Sequence, residues 1–216
     1  MTAPATAAAQ DVGEQAPAVS SDASADAPQT HTVTLDGYSF LVDGKRTYLW
    51  SGEFHYFRLP SQDLWRDIFQ KMKAAGFNST SLYFDWGYHS PKPGVYDFAG
   101  VRDVDKLLDM AQEAGLYVIA RPAPYINAEV DGGGLPGWLS TKAGNNRSDD
   151  PQFLKYADEW LTRIDRIIAR HQLTNGTGSV IGISGRERVL QRLGRRPLLY
   201  AAPRRQGSRG RHLRSR

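Results

Sequence analysis

A repeated order of helix, glycine and buried strand is the feature that most restricts the fold of this chain. Over residues 64–84, apolar residues recur with helical spacing, stop at Gly76 and are followed by a strand-like run. The same order recurs over residues 101–120, where Gly115 separates the helical pattern from the strand. Strands that alternate with helices pair in parallel through right-handed crossovers. The pattern therefore predicts an α/β protein.

The number of these units indicates how much of a known architecture is present. A third helical pattern covers residues 153–171, and residues 179–181 begin a further strand. Units of this length are typical of a (β/α)8 TIM barrel, which needs eight of them. This chain supplies about the first three to four βα units. We therefore predict a partial (β/α)8 TIM barrel.

A short β-hairpin is predicted ahead of the barrel. Asp-Gly pairs at residues 36–37 and 43–44 follow segments in which apolar and polar residues alternate. Asp-Gly favours the tight turns that connect antiparallel strands. We expect a hairpin over residues 32–42 that leads into a third strand at residues 47–51.

Both ends of the chain differ in composition from its middle. Residues 1–30 contain no aromatic residue, Lys or Arg, so we expect a disordered leader. The leader lacks the basic start and apolar stretch of a signal peptide. Residues 182–216 hold 11 Arg and one acidic residue, out of 27 Lys and Arg and 23 Asp and Glu in the chain. The remaining 16 basic and 22 acidic residues make positions 1–181 acidic, so the net charge of +4 comes from the tail.

Composition excludes several kinds of function. The chain has no Cys, which excludes disulfides, thiolate nucleophiles and thiolate metal sites. No apolar run approaches the roughly 20 residues of a membrane helix, so no membrane partner is predicted. No group of His and acidic residues has the spacing of metal ligands, so neither a metal nor another cofactor is predicted.

Polar and aromatic residues follow the predicted barrel strands at residues 53–55, 83–88 and 121–134. The carboxyl ends of barrel strands form the active-site face. Aromatic rings stack on the C–H faces of sugars, and acids and amides bond to sugar hydroxyls. We therefore predict a sugar site at this face. Glu53 and His55 could also bind a metal or act in acid–base chemistry, but two such groups at i and i+2 more often satisfy neighbouring polar atoms, and we favour that role.

Four segments at this face carry a family resemblance. Residues 50–60 read Trp-Ser-Gly-Glu-Phe-His-Tyr-Phe-Arg-Leu-Pro, and residues 82–86 read Leu-Tyr-Phe-Asp-Trp. Residues 121–129 read Arg-Pro-Ala-Pro-Tyr-Ile-Asn-Ala-Glu, and residues 133–139 read Gly-Gly-Leu-Pro-Gly-Trp-Leu. Together they resemble glycoside hydrolase family 35, the retaining β-galactosidases with a (β/α)8 catalytic domain. The resemblance covers residues 31–181, which we take as the catalytic-domain segment.

The resemblance implies a substrate and a set of ligands. Tyr83, Asn127, Ala128 and Glu129 would line the galactose subsite, with Glu129 accepting hydrogen bonds from ring hydroxyls. The substrate would be a β-galactoside with a terminal non-reducing β-D-galactosyl residue, or galactose itself. The family also implies an extracytoplasmic location. Oligomeric state stays open.

One motif of the family is missing from the chain. Its acid/base Glu lies in an Asn-Glu pair, usually within Gln-x-Glu-Asn-Glu-Tyr, at the end of the fourth strand. After Ile181 this chain instead reads Gly-Ile-Ser-Gly-Arg-Glu-Arg-Val. Neither catalytic Glu can be placed, so we predict that the 216-residue chain is inactive.

The genetic code offers a reason for the missing motif. Residues 186–190, written AGA GAA CGA GTA C, give GAG AAC GAG TAC when read one nucleotide later, which encodes Glu-Asn-Glu-Tyr. Residues 183–185, written ATA TCA GGT, give Tyr-Gln-Val in the same frame. Third letters are chosen freely in both cases. We interpret residues 182–216 as an out-of-frame tail.

Two other functions stay open at this point. The chain could be a non-catalytic galactose-binding fragment that uses Tyr83, Asn127 and Glu129. It could also bind nucleic acid through its basic tail, since clustered Arg attracts polyanions. An evolved basic arm would have no reason to encode the family motif in the next frame, so we expect no functional nucleic-acid partner.

Overall fold

The structure of the protein is a computed structural model that describes residues 30–176 and 178–184. These residues form a three-stranded antiparallel sheet and a four-stranded parallel sheet whose strands alternate with helices. This arrangement confirms the predicted α/β class. The leader predicted for residues 1–30 lies outside the described residues apart from Thr30, and so does the predicted tail beyond Ser184.

The first sheet, here called the hairpin sheet, comes from the two Asp-Gly turns. Its strands are β1 (Val33–Leu35), β2 (Phe40–Val42) and β3 (Lys45–Thr47), paired in that order. Its first two strands confirm the predicted hairpin. The single third strand predicted at residues 47–51 is wrong: β3 ends at Thr47, residues 48–50 lie in no strand, and Ser51 begins a strand of the second sheet. Asp43 and Gly44 both have positive φ, 50° and 75°, so the turn brings Lys45 directly opposite Val42.

The second sheet is the part of the fold that builds the site. Its strands pair in parallel in chain order. They are β4 (Ser51–Glu53), β5 (Ser79–Tyr83), β6 (Tyr117–Arg121) and β7 (Val180–Ile183). The boundary predicted between residues 181 and 182 therefore falls inside β7.

Four α-helices connect these strands, and side-chain caps define where the long ones begin. They are α1 (Gln62–Ala74), α2 (Trp86–His89), α3 (Val104–Glu113) and α4 (Pro151–Arg170). Ser61, Asp103 and Asp150 accept hydrogen bonds from backbone N–H groups in the first turns of α1, α3 and α4. Shorter 3-10 helices cover Tyr56–Arg58, Gly100–Arg102, Asp131–Gly134, Gly137–Thr141 and Leu173–Asn175.

The two glycines of the repeat lie immediately beyond α1 and α3. Gly76 and Gly115 have φ values of 89° and 68°, the left-handed conformation that commonly follows a helix. Each turn leads into the next strand, because Phe77 and Leu116 donate backbone hydrogen bonds to the carbonyls of Met72 and Ala111. The predicted stops and the strands that follow them are therefore confirmed.

The two faces of the parallel sheet have different surroundings. Thr80, Leu82, Val118 and Ala120 are fully buried, and the apolar members of this group belong to a core shared with the helices. A side chain at Gly52 would meet Met72 of α1, so the glycine permits close packing of helix and sheet. Alternate residues on the other face are only partly buried: Ser81, Tyr83, Ile119 and Arg121.

The hairpin sheet covers part of the other face. Val33 and Val42 form a small core with Leu173 and Ile181, and partly buried Phe40, Leu49 and Tyr117 pack against it. Tyr117 begins β6, so this contact lies towards the amino end of the parallel sheet. The carboxyl ends of the strands are left for the site.

A buried aromatic group lies between α2 and α4. The rings of Trp86 and Trp160 stack with their centroids 6.3 Å apart. Nearby, His89 Nδ1 lies 2.8 Å from the Asp97 carbonyl oxygen, and His89 Nε2 lies 2.6 Å from the Tyr56 hydroxyl. A carbonyl can only accept, so Nδ1 carries the proton and Nε2 accepts from Tyr56. Burial lowers the pKa of His89 from 6.5 to about 4.

Core packing can be tested with two Leu→Ala substitutions on helices. Leu107 of α3 is fully buried, so we expect Leu107→Ala to lower the free energy of unfolding by about 2–5 kcal/mol. Leu64 of α1 is 40% exposed, and we expect Leu64→Ala to cost less than about 1 kcal/mol. Urea unfolding followed by Trp fluorescence measures both changes. Equal losses would contradict the assigned packing.

The His89 environment predicts a pH dependence of stability. In the unfolded chain the pKa of His89 is 6.5, whereas in the folded chain it is about 4. Protonation therefore favours unfolding, and the free energy of unfolding should fall by about 3 kcal/mol between these pH values from this residue alone. His89→Gln should show a correspondingly shallower decline in urea titrations at pH 7, 6, 5 and 4. Parallel declines in the two proteins would refute the assignment.

Candidate active site

The carboxyl ends of β5, β6 and β7 line a cavity of about 200 Å³. Tyr83 and Arg121 enter it from the last positions of β5 and β6, and Ser184 enters it just after β7. The loop after β6 closes the other side with Ala123, Tyr125, Ile126 and Asn127. Parallel pairing aligns the strand ends, which explains why residues so distant in sequence share one cavity.

Arg121 connects the three strands β4, β5 and β6. Its guanidinium group lies 3.9 Å from the centre of the Tyr83 ring, within the range of a cation–π interaction. Its Nη1 also donates to Glu53 Oε2 over 3.0 Å. Glu53 therefore forms an ion pair with Arg121, in agreement with the structural role favoured for it.

Tyr125 lines the cavity from the loop that follows β6. Its hydroxyl donates to Asn127 Oδ1 over 3.3 Å, which orients the amide. The Arg147 guanidinium lies 3.8 Å from the centre of the Tyr125 ring. On the other side, a side chain at Gly133 would overlap the Tyr125 ring. Gly133 therefore allows the ring to lie against the backbone of the 131–134 segment.

Beside Tyr125, the backbone makes a left-handed turn that we call the 127–130 turn. The φ values of Asn127, Ala128 and Glu129 are 66°, 49° and 49°, and Val130 N–H donates to the Asn127 carbonyl over 3.2 Å. Left-handed φ values cost a residue with a side chain about 1–2 kcal/mol each. Strain of this kind concentrates at functional sites.

Arg58 reaches the 127–130 turn from the segment after β4. Its Nη2 donates to the carbonyl oxygens of Ala128 and Glu129, at 2.6 Å and 3.0 Å. Arg58 also lies near His55. Burial lowers the pKa of His55, and the positive charge of Arg58 lowers it further. The neutral imidazole is therefore favoured beside the site.

Asp85 is a buried carboxyl group close to the same loop. It caps α2 by accepting a hydrogen bond of 3.0 Å from Tyr88 N–H, and burial raises the pKa of its carboxyl group. A side chain at Gly134 would meet both Asp85 and Ile126. Asp85 therefore lies close to the backbone of Gly134, in the loop that follows β6.

The predicted ligands occupy two neighbouring positions. Tyr83 and Asn127 line the cavity together. Ala128 is buried and Glu129 is exposed in the adjacent 127–130 turn, and neither lines the cavity. Trp86 and His89, which also follow β5, are fully buried in the core.

Sequence reasoning did not assign roles to Arg58, Arg121, Tyr125 and Arg147. A charge at the end of the apolar strand β6 could have indicated Arg121, since apolar strands seldom carry a charge without a partner. The contacts of Arg58 and Arg147 join residues far apart in the chain, so no local pattern indicates them.

Two kinds of feature are not found among the described residues. Within residues 30–176 and 178–184, no three His, Asp or Glu side chains come together as a metal site would require. In the same part of the chain, every helix is too short or too polar to cross a membrane.

Comparison with known sequences identifies close relatives. The probable β-galactosidase C of Aspergillus niger is 51% identical over 154 residues, which cover 70% of this chain and 15% of that protein. The β-galactosidase A of Aspergillus niger is 49% identical over 144 residues, covering 67% of this chain and 14% of that protein. The chain therefore spans about 15% of the length of the curated relatives it matches.

Solved structures with a similar fold are glycosidases. The endo-1,4-β-mannanase of Rhizomucor miehei has a TM-score of 0.55 at 16% identity, over 72% of this chain and 48% of that chain. The exo-β-1,4-mannosidase Op5Man5 of Opitutaceae bacterium strain TAV5 has a TM-score of 0.54 at 20% identity, over 65% and 25%. At such identities the likeness concerns the fold alone, and it is consistent with a partial barrel.

The family itself is identified by the match of residues 39–184 to the family model described as glycosyl hydrolases family 35. This match includes the four segments on which the resemblance was based, and it covers more than half of the chain. It ends at Ser184, the residue that follows β7 and lines the cavity. The chain belongs to glycosyl hydrolases family 35.

Proposed function

We propose that this chain forms the galactosyl-binding part of a retaining β-galactosidase. In this proposal, residues 50–184 are the first four strands of an eight-stranded barrel with their connecting helices. The terminal β-D-galactosyl unit of the substrate binds in the cavity beside Tyr83 and Asn127. The shared cavity of these two predicted ligands is the observation that carries the proposal. The β-galactosidase names of the relatives support the choice of sugar.

The polar groups around the cavity suit a galactosyl unit. The Asn127 amide and the Ser184 hydroxyl offer both donors and acceptors, and the Tyr83 and Tyr125 rings offer apolar surface for sugar C–H groups. Glu129 lies in the 127–130 turn beside the cavity, is exposed, and would accept hydrogen bonds from ring hydroxyls. We also propose, from the family, that the intact enzyme works outside the cytoplasm.

Hydrolysis requires groups that we do not find at this cavity. A retaining glycosidase uses two carboxyl groups about 5 Å apart, one as acid/base and one as nucleophile. In the family the acid/base Glu follows the fourth strand, whereas the described chain has Ser184 at that place. We therefore propose that the 216-residue chain binds galactose without hydrolysing galactosides.

Two measurements on the 216-residue chain test this function. We expect no turnover of a chromogenic β-galactoside above a no-enzyme control, in a preparation free of host galactosidase. We expect saturable heat when the chain is titrated with galactose. Glu129→Gln should weaken binding by about 10-fold or more, because the acceptor for the sugar hydroxyls loses its charge.

The matched control for Glu129→Gln is Glu113→Gln, on the exposed end of α3. Glu113 pairs with Arg66, away from the cavity, so this variant should bind galactose like the unchanged chain. Equal losses in the two variants would argue against the site. Turnover by the unchanged chain would contradict the proposal that it lacks the two catalytic carboxyl groups.

A pair of adjacent glycines tests whether Tyr125 belongs to the binding wall. Gly132 and Gly133 have similar φ values, 59° and 63°, so an Ala at either position pays a similar backbone cost. Only at Gly133 does the added methyl group overlap the Tyr125 ring. Gly133→Ala should therefore weaken galactose binding at least 10-fold more than Gly132→Ala, as measured by calorimetry. Equal affinities in the two variants would exclude Tyr125 from the wall.

A further inference from the structure

The 127–130 turn has an unusual composition for its geometry. Left-handed turn positions usually carry Gly, Asn or Asp, because other side chains crowd the backbone there. Asn127 fits this preference, but Ala128 and Glu129 do not, and both have φ of 49°. The surrounding structure must therefore hold the turn in place.

Arg58 is the group best placed to hold it. One guanidinium nitrogen donates to two successive carbonyls of the turn, those of Ala128 and Glu129. Hydrogen bonds from a charged donor are stronger than neutral ones. Two backbone bonds also involve the turn: Val130 N–H donates to the Asn127 carbonyl within it, and Gly133 N–H donates to the Val130 carbonyl. Both join residues of the loop after β6, so neither connects the turn to the segment after β4.

The backbone segment that carries Arg58 is held firmly by the core, so Arg58 can hold the turn in place. It ends the 3-10 helix Tyr56–Arg58, directly after β4, and Tyr56 in the same helix is fully buried. The Tyr56 hydroxyl bonds to His89 over 2.6 Å, which locks this segment to the core. Arg58 therefore links the turn to the core of the sheet across seventy residues of sequence.

We infer that Arg58 is a positioning residue, whose guanidinium group holds the 127–130 turn so that Asn127 and Glu129 are presented at the galactosyl cavity. The part of this inference that concerns galactose binding rests on the proposed function. Arg58 acts through the turn backbone, with no contact to the sugar required. Removing it should let the turn relax towards right-handed or extended φ values and move both ligands.

A rescue experiment separates this role from a general loss of structure. Arg58→Met removes the donors and should weaken galactose binding at least 10-fold in calorimetry. Ala128→Gly removes the side chain that makes the left-handed φ costly, so the turn needs less support. The loss caused by Arg58→Met should therefore be several-fold smaller in the Ala128→Gly background. An equal loss in both backgrounds would overturn the inference.

Two further variants complete the comparison. Arg66→Met removes an exposed Arg from α1 and should leave galactose affinity unchanged, because Arg66 pairs with Glu113 away from the turn. Arg58→Lys keeps the charge but has a single donor centre on a flexible stem, so its affinity should be intermediate. A Lys variant as weak as Arg58→Met would show that guanidinium geometry alone matters. An Arg58→Met variant that binds galactose as tightly as the unchanged chain would contradict the inference.

Amide hydrogen exchange tests the same role without sugar. The Val130 amide, bonded to Asn127 within the turn, should exchange at least 10-fold faster in Arg58→Met. The Tyr117 amide, bonded to Asn78 at the start of β6, should keep its rate. If galactose does not bind the unchanged chain, the proposed function fails while this exchange still decides the role of Arg58. An unchanged Val130 rate, or equal acceleration of both amides, would overturn it.

Discussion

Parallel pairing of β4, β5, β6 and β7 is the constraint on which the rest of the structure depends. It aligns the carboxyl ends of four strands, so that Tyr83, Arg121 and Ser184 share one cavity although long helices separate them in sequence. The pairing is itself maintained by the helices, which bury one face of the sheet. Loss of packing between helices and sheet would therefore disturb the site as well as the core.

The two sides of the cavity are built in different ways. The strand side is regular. Arg121 links its strands through an ion pair with Glu53 and a contact with the Tyr83 ring. The loop side is irregular and depends on close contacts with backbone, such as Tyr125 against Gly133. The loop side is not held by pairing between strands. Individual side chains such as Arg58 therefore do more to fix its position.

Much of the fold could be predicted because its signals are local. Helical spacing, the stops at Gly76 and Gly115 and the Asp-Gly turns each depend on a few neighbouring residues. The short helix α2 and the break at residues 48–50 between β3 and β4 were not predicted, since tertiary contacts decide such short elements. At the candidate site, family motifs predicted Tyr83 and Asn127 as sugar ligands. The contacts of Arg58 could not be predicted, because they join residues that no local pattern connects.

The hairpin sheet has a consequence for the order in which the protein can form on the ribosome. Val33 and Val42 are made early, but their core partners Leu173 and Ile181 are synthesised more than a hundred residues later. Closing so long a loop costs chain entropy before any contact is gained. The amino-terminal strands must therefore wait, with apolar side chains uncovered, until β7 leaves the exit tunnel. A nascent chain stalled before β7 would be a natural client for chaperones that bind exposed apolar segments.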